Sequence, residues 1–204
     1  MCVSNNINHT LQDIEQRRSI RSFTDQPVRE EDLMAILRAA NHAPSAHNQQ
    51  SWRFLVIRGE RKKALTSLVN AKAGDFPKAA SVLLRMAARS INSAPVVIVV
   101  ANTGALIHHG TELFQIENRQ AREFFQTMEI QSSAAAIQNL LVAATSLGLS
   151  TVWLGVLFLI KDEVLRLMGE QEGEFMAVIP VGHAGKVGKA PKKIGCEMMV
   201  KWLD

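Results

Sequence analysis

Three arginines fall within five residues, Arg17-Arg18-Ser19-Ile20-Arg21. Guanidiniums this close repel one another unless an anion shares them. Arginine captures phosphate as a planar fork, and a serine hydroxyl adds a further donor. On spacing alone a plainer reading is the stronger one: a solvated basic face near a helix C-terminus, where the backbone dipole favours cations. A second group is uncharged. Ala43-Pro44-Ser45-Ala46-His47-Asn48-Gln49-Gln50-Ser51-Trp52 sets small and amide residues between a helix and a strand. Its donors and acceptors suit the edge of a heterocycle carrying carbonyl and N–H groups. Standing alone, the segment is slightly better read as a polar turn.

Other chemistry-bearing residues give less. His108 and His109 are adjacent, so they point apart in either regular structure, and no third ligand accompanies them; exposed loop histidines are the expectation, not a metal site. Ser45 and His47 lack the positioned acid that a nucleophilic triad needs. Gly-His-Ala-Gly-Lys-Val-Gly at 182–188 has neither the Rossmann nor the P-loop glycine spacing. Phe124 and Phe125 are better read as helix-face packing than as pocket walls.

The elements that must position these residues follow from periodicity. Residues 11–18 read as a short helix with Thr10 as its cap. In residues 29–42, Leu33, Ile36, Leu37 and Ala40 form one amphipathic stripe. Pro44 stops that helix, and residues 54–57 follow as a strand. Residues 62–72 and 78–89 read as helices parted by Gly74 and Pro77. Residues 95–101, Pro-Val-Val-Ile-Val-Val-Ala, form the run of a strand buried on both faces. Residues 102–128 resist assignment beyond some helix from Thr111 onward. Residues 129–147 form a helix apolar nearly all round, as suits a core or a subunit interface, and Gly148 ends it. Residues 151–154 and 175–181 read as strands, 161–168 as a helix, and a basic tail runs from Gly182 to Lys193. The order points to an α+β fold with helices packed on a central sheet.

Bulk properties bound the function. The 204 residues fit one domain, 1–204, and 47% apolar content builds a core without staples. The net charge of +4 is scattered, with no basic block of the kind that binds nucleic acid, so no nucleic-acid partner is expected. Two cysteines, Cys2 and Cys196, exclude a disulfide framework and favour a reducing, cytoplasmic setting. The polar start with Asp13 and Glu15 does not read as a signal peptide, and no apolar stretch approaches a membrane span.

Taken together, the motifs resemble the nitroreductase family. Its pattern runs R-R-S-x-R-x-F and, some 20 residues later, A-P-S-x-x-N-x-Q-P-W-x-F; this chain has RRSIRSF and then APSAHNQQSWRF. Downstream, SAPVVIVV is similar to the family's central strand, AAAIQNLLVAATSLGLSTVWLG to its long core helix and next strand, and VIPVGHAGKVGKAPKK to its last strand and basic tail. The resemblance covers the chain apart from residues 102–128, and five motifs in order make it specific.

The resemblance implies an intertwined homodimer with a central mixed sheet and one FMN at each of two interfacial sites. It implies a ping-pong cycle taking hydride from NADH or NADPH to a small electrophilic acceptor such as a nitroaromatic or quinone. By position, Arg17, Arg18, Ser19 and Arg21 line the flavin, with Arg17 and Ser19 at the phosphate and ribityl end and Arg21 near N1 and O2. Pro44, Ser45, Asn48 and Gln50 match the loop brought beside the ring or in from the second subunit. Leu154 and Gly155 match the strand end whose N–H groups face N5 and O4, and Lys192 and Lys193 match the basic residue that closes on the phosphate. No catalytic side chain and no metal is implied.

The chain also departs from the pattern. Ser51 replaces a proline, lysines stand for a tail arginine, and Leu154 stands where some members have glutamate. Residues 102–128 cover the substrate side in that family, so the acceptor and the donor preference stay open. Deiodinase-like or dehydrogenase-like chemistry on the same fold, or a non-catalytic flavin-binding protein, are the alternatives.

Overall fold

The computed structural model describes residues 8–114, 118–170 and 173–203. The elements in chain order are α1 (His9–Gln16), α2 (Glu30–Asn41), β1 (Trp52–Ile57), α3 (Gly59–Lys72), α4 (Lys78–Ser93), β2 (Val96–Asn102), α5 (Ala105–Phe114), α6 (Asn118–Ser146), β3 (Ser150–Thr151), α7 (Lys161–Met168) and β4 (Glu174–Gly182).

The fold is organised around β2, and every residue of that strand is buried. Side chains alternate along a strand, so Val97, Val99 and Ala101 enter one core while Val96, Ile98 and Val100 enter another. On the first face pack Leu65 and Val69 of α3, Leu84 and Ile91 of α4, and Val164 of α7. On the second pack Leu33 and Ile36 of α2 with Ile137, Leu140 and Ala144 of α6. Each fully buried aliphatic side chain contributes about 1.5–3 kcal/mol. The double coverage explains why residues 95–101 carry no polar alternation.

The strand order is β1-β2-β4-β3, with every neighbouring pair antiparallel. The expected mixed character is confined to one parallel bridge, Ser19 with Thr151. The reason is local: residues 17–23 run extended past β3 without forming a strand of their own. β3 itself is only two residues long, shorter than the 151–154 expectation. Beyond Thr151 the chain leaves the ladder and turns into a 3₁₀ segment, Gly155–Ile160.

Several helices start earlier than the sequence reading places them. The cap of α1 is Asn8, whose side-chain oxygen accepts from the N–H of Leu11 at 3.1 Å, and not Thr10. Asn and Thr are both good caps, and composition alone does not choose between positions two apart. The larger difference lies in residues 102–128, which are mostly helical, forming α5 and the first third of α6. Gly110, which weakens the helical signal, is what this packing requires: a Cβ there would overlap the ring of Phe125. Phe125, 1% exposed, forms a third small core with Leu106 and Ala121. The 29-residue α6 spans about 43 Å, and Gly148 follows it with φ of 71°, the left-handed stop expected there. Among the described residues, no helix is long and apolar enough to cross a membrane.

Candidate functional site

Residues 17–22 leave α1 and lie along the sheet edge. The N–H of Arg17 closes the helix on the carbonyl of Asp13, and the N–H of Ile20 donates to the carbonyl of Thr151, each at 2.9 Å. In extended chain neighbouring residues face opposite ways. Ile20 therefore enters the core while Ser19 and Arg21 on either side face out; Phe23, past the exposed Ser22, is buried as well. The segment as a whole, with its three arginines, forms one wall of a groove of about 720 Å³.

The opposite wall is the basic tail. Arg18 reaches across and donates to the carbonyls of Gly188 at 3.4 Å and Lys189 at 2.8 Å. The N–H of Gly185 donates to the carbonyl of Ser22, and that of Thr24 to His183, at 2.9 and 3.0 Å. Arg17, Arg18, Ser19 and Arg21 all line the groove, as does Lys193. Lys192 does not, and Lys186 and Lys189 do. The single acid on its lining is Glu15. Among the described residues the ion pairs lie elsewhere, and none involves these arginines or lysines.

Arg21 is shared with a second opening of about 210 Å³. Its walls are mainly apolar, with Leu83 and Met86 of α4 facing Trp153, Leu154, Gly155 and Val156. The two candidate N–H donors there are not equivalent. That of Leu154 already donates to the carbonyl of Val178 at 2.9 Å, so it is not offered to a ligand as the resemblance implies. Gly155 opens a 3₁₀ segment, and the first N–H groups of a helix have no acceptor within it.

The amide-rich loop stands apart. Pro44 and Ser45 line neither opening; they border a shallow groove of about 300 Å³ with Met128, Gln131 and Ser132 of α6. Asn48 and Gln50 bond to each other, Gln50 Nε2 donating to Asn48 Oδ1 at 3.1 Å. The N–H of Ala46 donates to Ser132 Oγ at 3.1 Å. His47, Asn48 and Gln50 have φ of 51°, 53° and 47°, the left-handed region that L side chains rarely adopt. Such conformations cost about 1–3 kcal/mol each and concentrate at functional sites.

A sequence model of the Nitroreductase family matches residues 14–183. The chain belongs to the nitroreductase family. It is similar to a protein of Archaeoglobus fulgidus provisionally named NADH dehydrogenase/NAD(P)H nitroreductase, 30% identical over 72% of this chain and 67% of that protein. It is also similar to an FMN reductase [NAD(P)H] of Bacillus subtilis, 28% identical over 91% of this chain and 70% of that one. Among solved structures, a nitroreductase-like protein of Desulfovibrio desulfuricans in complex with FMN superimposes with a TM-score of 0.70 at 29% identity, covering 97% of this chain and 99% of that one.

Within this member of the family, three residues of interest escaped sequence reasoning. Lys186 and Lys189 line the cationic groove, and only their membership of a basic tail hinted at it. Glu129 reads as a helix-start charge in the sequence, yet it is 1% exposed and accepts from the N–H of Leu106 at 2.9 Å. Burial pushes its carboxyl above the ordinary glutamate value, against the lowering effect of the Leu106 N–H and the Ser51 hydroxyl. Nearby, Ser133 bonds to buried Asn102, whose amide nitrogen has no partner among the described residues. His108 and His109 are exposed as expected, but they sit on α5 and not in a loop.

Proposed function

We propose that this nitroreductase binds FMN and passes hydride from NADH or NADPH to a small electrophilic acceptor, such as a nitroaromatic or quinone, in a ping-pong cycle. The observation that carries the reading is Arg21, which borders both the cationic groove and the apolar slot. A ligand with a phosphate at one end and a planar ring at the other fits that sequence of surfaces. FMN is such a molecule, and it is the ligand in the Desulfovibrio complex. When bound, FMN supplies the two-electron carrier that side chains lack.

The chain's own residues bind and tune. Arg17 and Ser19 hold the phosphate end, and Lys193, with Lys192 beside it, adds cationic charge there. Arg18 touches the ligand's surroundings through the tail it grips. Arg21 places a fixed cation where negative charge gathers on the ring edge in the reduced state. The N–H of Gly155 donates at the far edge of the ring. Pro44, Ser45, Asn48 and Gln50 line neither opening of their own chain, which supports their arrival from the second subunit of a homodimer. No side chain is required as a general acid. A cytoplasmic setting is consistent with exposed, free Cys196.

The deciding experiment is an absorbance spectrum of the purified protein after incubation with FMN, then anaerobic addition of NADH and of NADPH. Flavin bands that bleach with a donor and recover with a nitroaromatic or quinone support the reading. A protein that takes up no FMN overturns it.

A further inference from the structure

We propose that Lys186 and Lys189 hold the 2′-phosphate of NADPH, making NADPH the preferred donor; the inference rests on the FMN reading above. The groove has more positive charge than one ligand phosphate uses. Three arginines and three lysines line it against Glu15 alone, while a phosphomonoester carries about −1.5 to −2 charges near neutral pH. Of the six cations, Arg18 is spent on the carbonyls of Gly188 and Lys189. Arg17 and Lys193 answer the flavin phosphate, and Arg21 belongs equally to the apolar slot. Lys186 and Lys189 are left over, exposed and without an ion-pair partner among the described residues. Exposed and unpaired, they cost little where they stand and remain available to a second anion.

Their backbone is held even though their side chains are free. Arg18 grips the chain at 188 and 189, and the Gly185 N–H ties the segment's start to Ser22. The lysine stems therefore start from fixed points, which reduces the ordering cost of a contact. An ammonium is a mobile point charge with three donors, suited to an exposed phosphate approached from several directions. The 2′-phosphate is the whole chemical difference between NADPH and NADH. The pyrophosphate is common to both donors, so comparing them separates the two possible phosphates.

The test compares the FMN-loaded wild type with the Lys186→Gln/Lys189→Gln double variant, with flavin content read from absorbance in each. The wild type is expected to favour NADPH, and the variant's NADPH-to-NADH ratio of kcat/KM to fall by about tenfold or more, mainly through KM. Inhibition by adenosine 2′,5′-bisphosphate should weaken by a similar factor, and inhibition by 5′-AMP should not. An unchanged ratio overturns the proposal. Equal losses with both donors also overturn it, by placing the lysines on the pyrophosphate. Loss of flavin from the variant overturns it by placing them on FMN. A wild-type protein that takes up no FMN fails the underlying reading instead.

Discussion

Around the arginine groove, cations stand at the surface with almost no acid across from them. Under the α5–α6 pair, one carboxylate, Glu129, is buried and surrounded by donors. Charge in the first region is left for a ligand to satisfy. In the second the carboxyl is bonded from within, by the Leu106 N–H and the Ser51 hydroxyl, although burial still disfavours its charge. A buried charge is costly unless it is bonded, so Glu129 fastens the start of α5 to α6 and to the residue before β1. An unpaired surface charge costs little and stays available. The two regions are thus suited to different tasks, one to capturing a ligand and one to holding a wall in place.

The sharpest way to break this contrast is to cut each region at its centre. Phe125→Ala empties the small core beneath α5, where the ring is 1% exposed. It should cost about 3–5 kcal/mol of unfolding free energy by denaturant titration, and a loss under 1 kcal/mol would show that α5 is not held through this ring. Arg17→Ala should do the reverse, weakening FMN binding by about tenfold to a hundredfold in a flavin-fluorescence titration while the denaturation midpoint of the apoprotein barely moves. Full flavin affinity in that variant would return the cluster to a solvated basic face.

The same contrast explains what the sequence made legible. RRSIR is readable because its chemistry is local: the cations, the serine and the alternation that buries Ile20 lie within five residues. β2 is readable because burial on both faces leaves one composition. Residues 102–128 are not, because their order depends on partners far along the chain. Gly110 breaks the helical signal of α5 and makes sense only with Phe125 above it. Glu129 looks like any charge at a helix start until Leu106 and Ser51 are placed against it. Lys186 and Lys189 escaped notice for a related reason: their groove exists only once Arg18 folds the tail back over residues 17–22.

Glu129 sharpens the comparison through pH. Its folded carboxyl titrates above the ordinary glutamate value, because burial outweighs the donors, with Glu174 adding to the rise and His108 opposing it. Between the unfolded and folded values the native state therefore holds the extra proton. The associated stability is fully present below the unfolded value and is lost as pH rises through the folded one. Glu129→Gln keeps an acceptor for Leu106 and removes the titration. The stability of wild type relative to this variant should then fall with rising pH across that window, by at most about 1.4 kcal/mol per pH unit. A difference that stays flat from acid to neutral pH would mean that the carboxylate is not penalised by its burial.

The smallest effect separates Arg18 from Arg17, neighbours that the sequence treats alike. Arg18 donates to two tail carbonyls, whereas Arg17 has no ion pair among the described residues and faces the groove. If Arg18 acts as a clasp, Arg18→Ala frees residues 186–193 and exposes their lysines to trypsin more often. Net hydrogen bonds of this kind are worth about 0.5–1.5 kcal/mol, so cleavage of the native apoprotein within the tail should speed up about threefold to tenfold when opening is rapid. Arg17→Ala should leave that rate near the wild-type value. Because the tail also carries the groove's lysines, the Arg18 variant should lose some FMN affinity as well, but less than the Arg17 variant. Equal protection of the tail in both variants would make Arg18 a ligand contact like its neighbour, and the groove's second wall would then need another anchor.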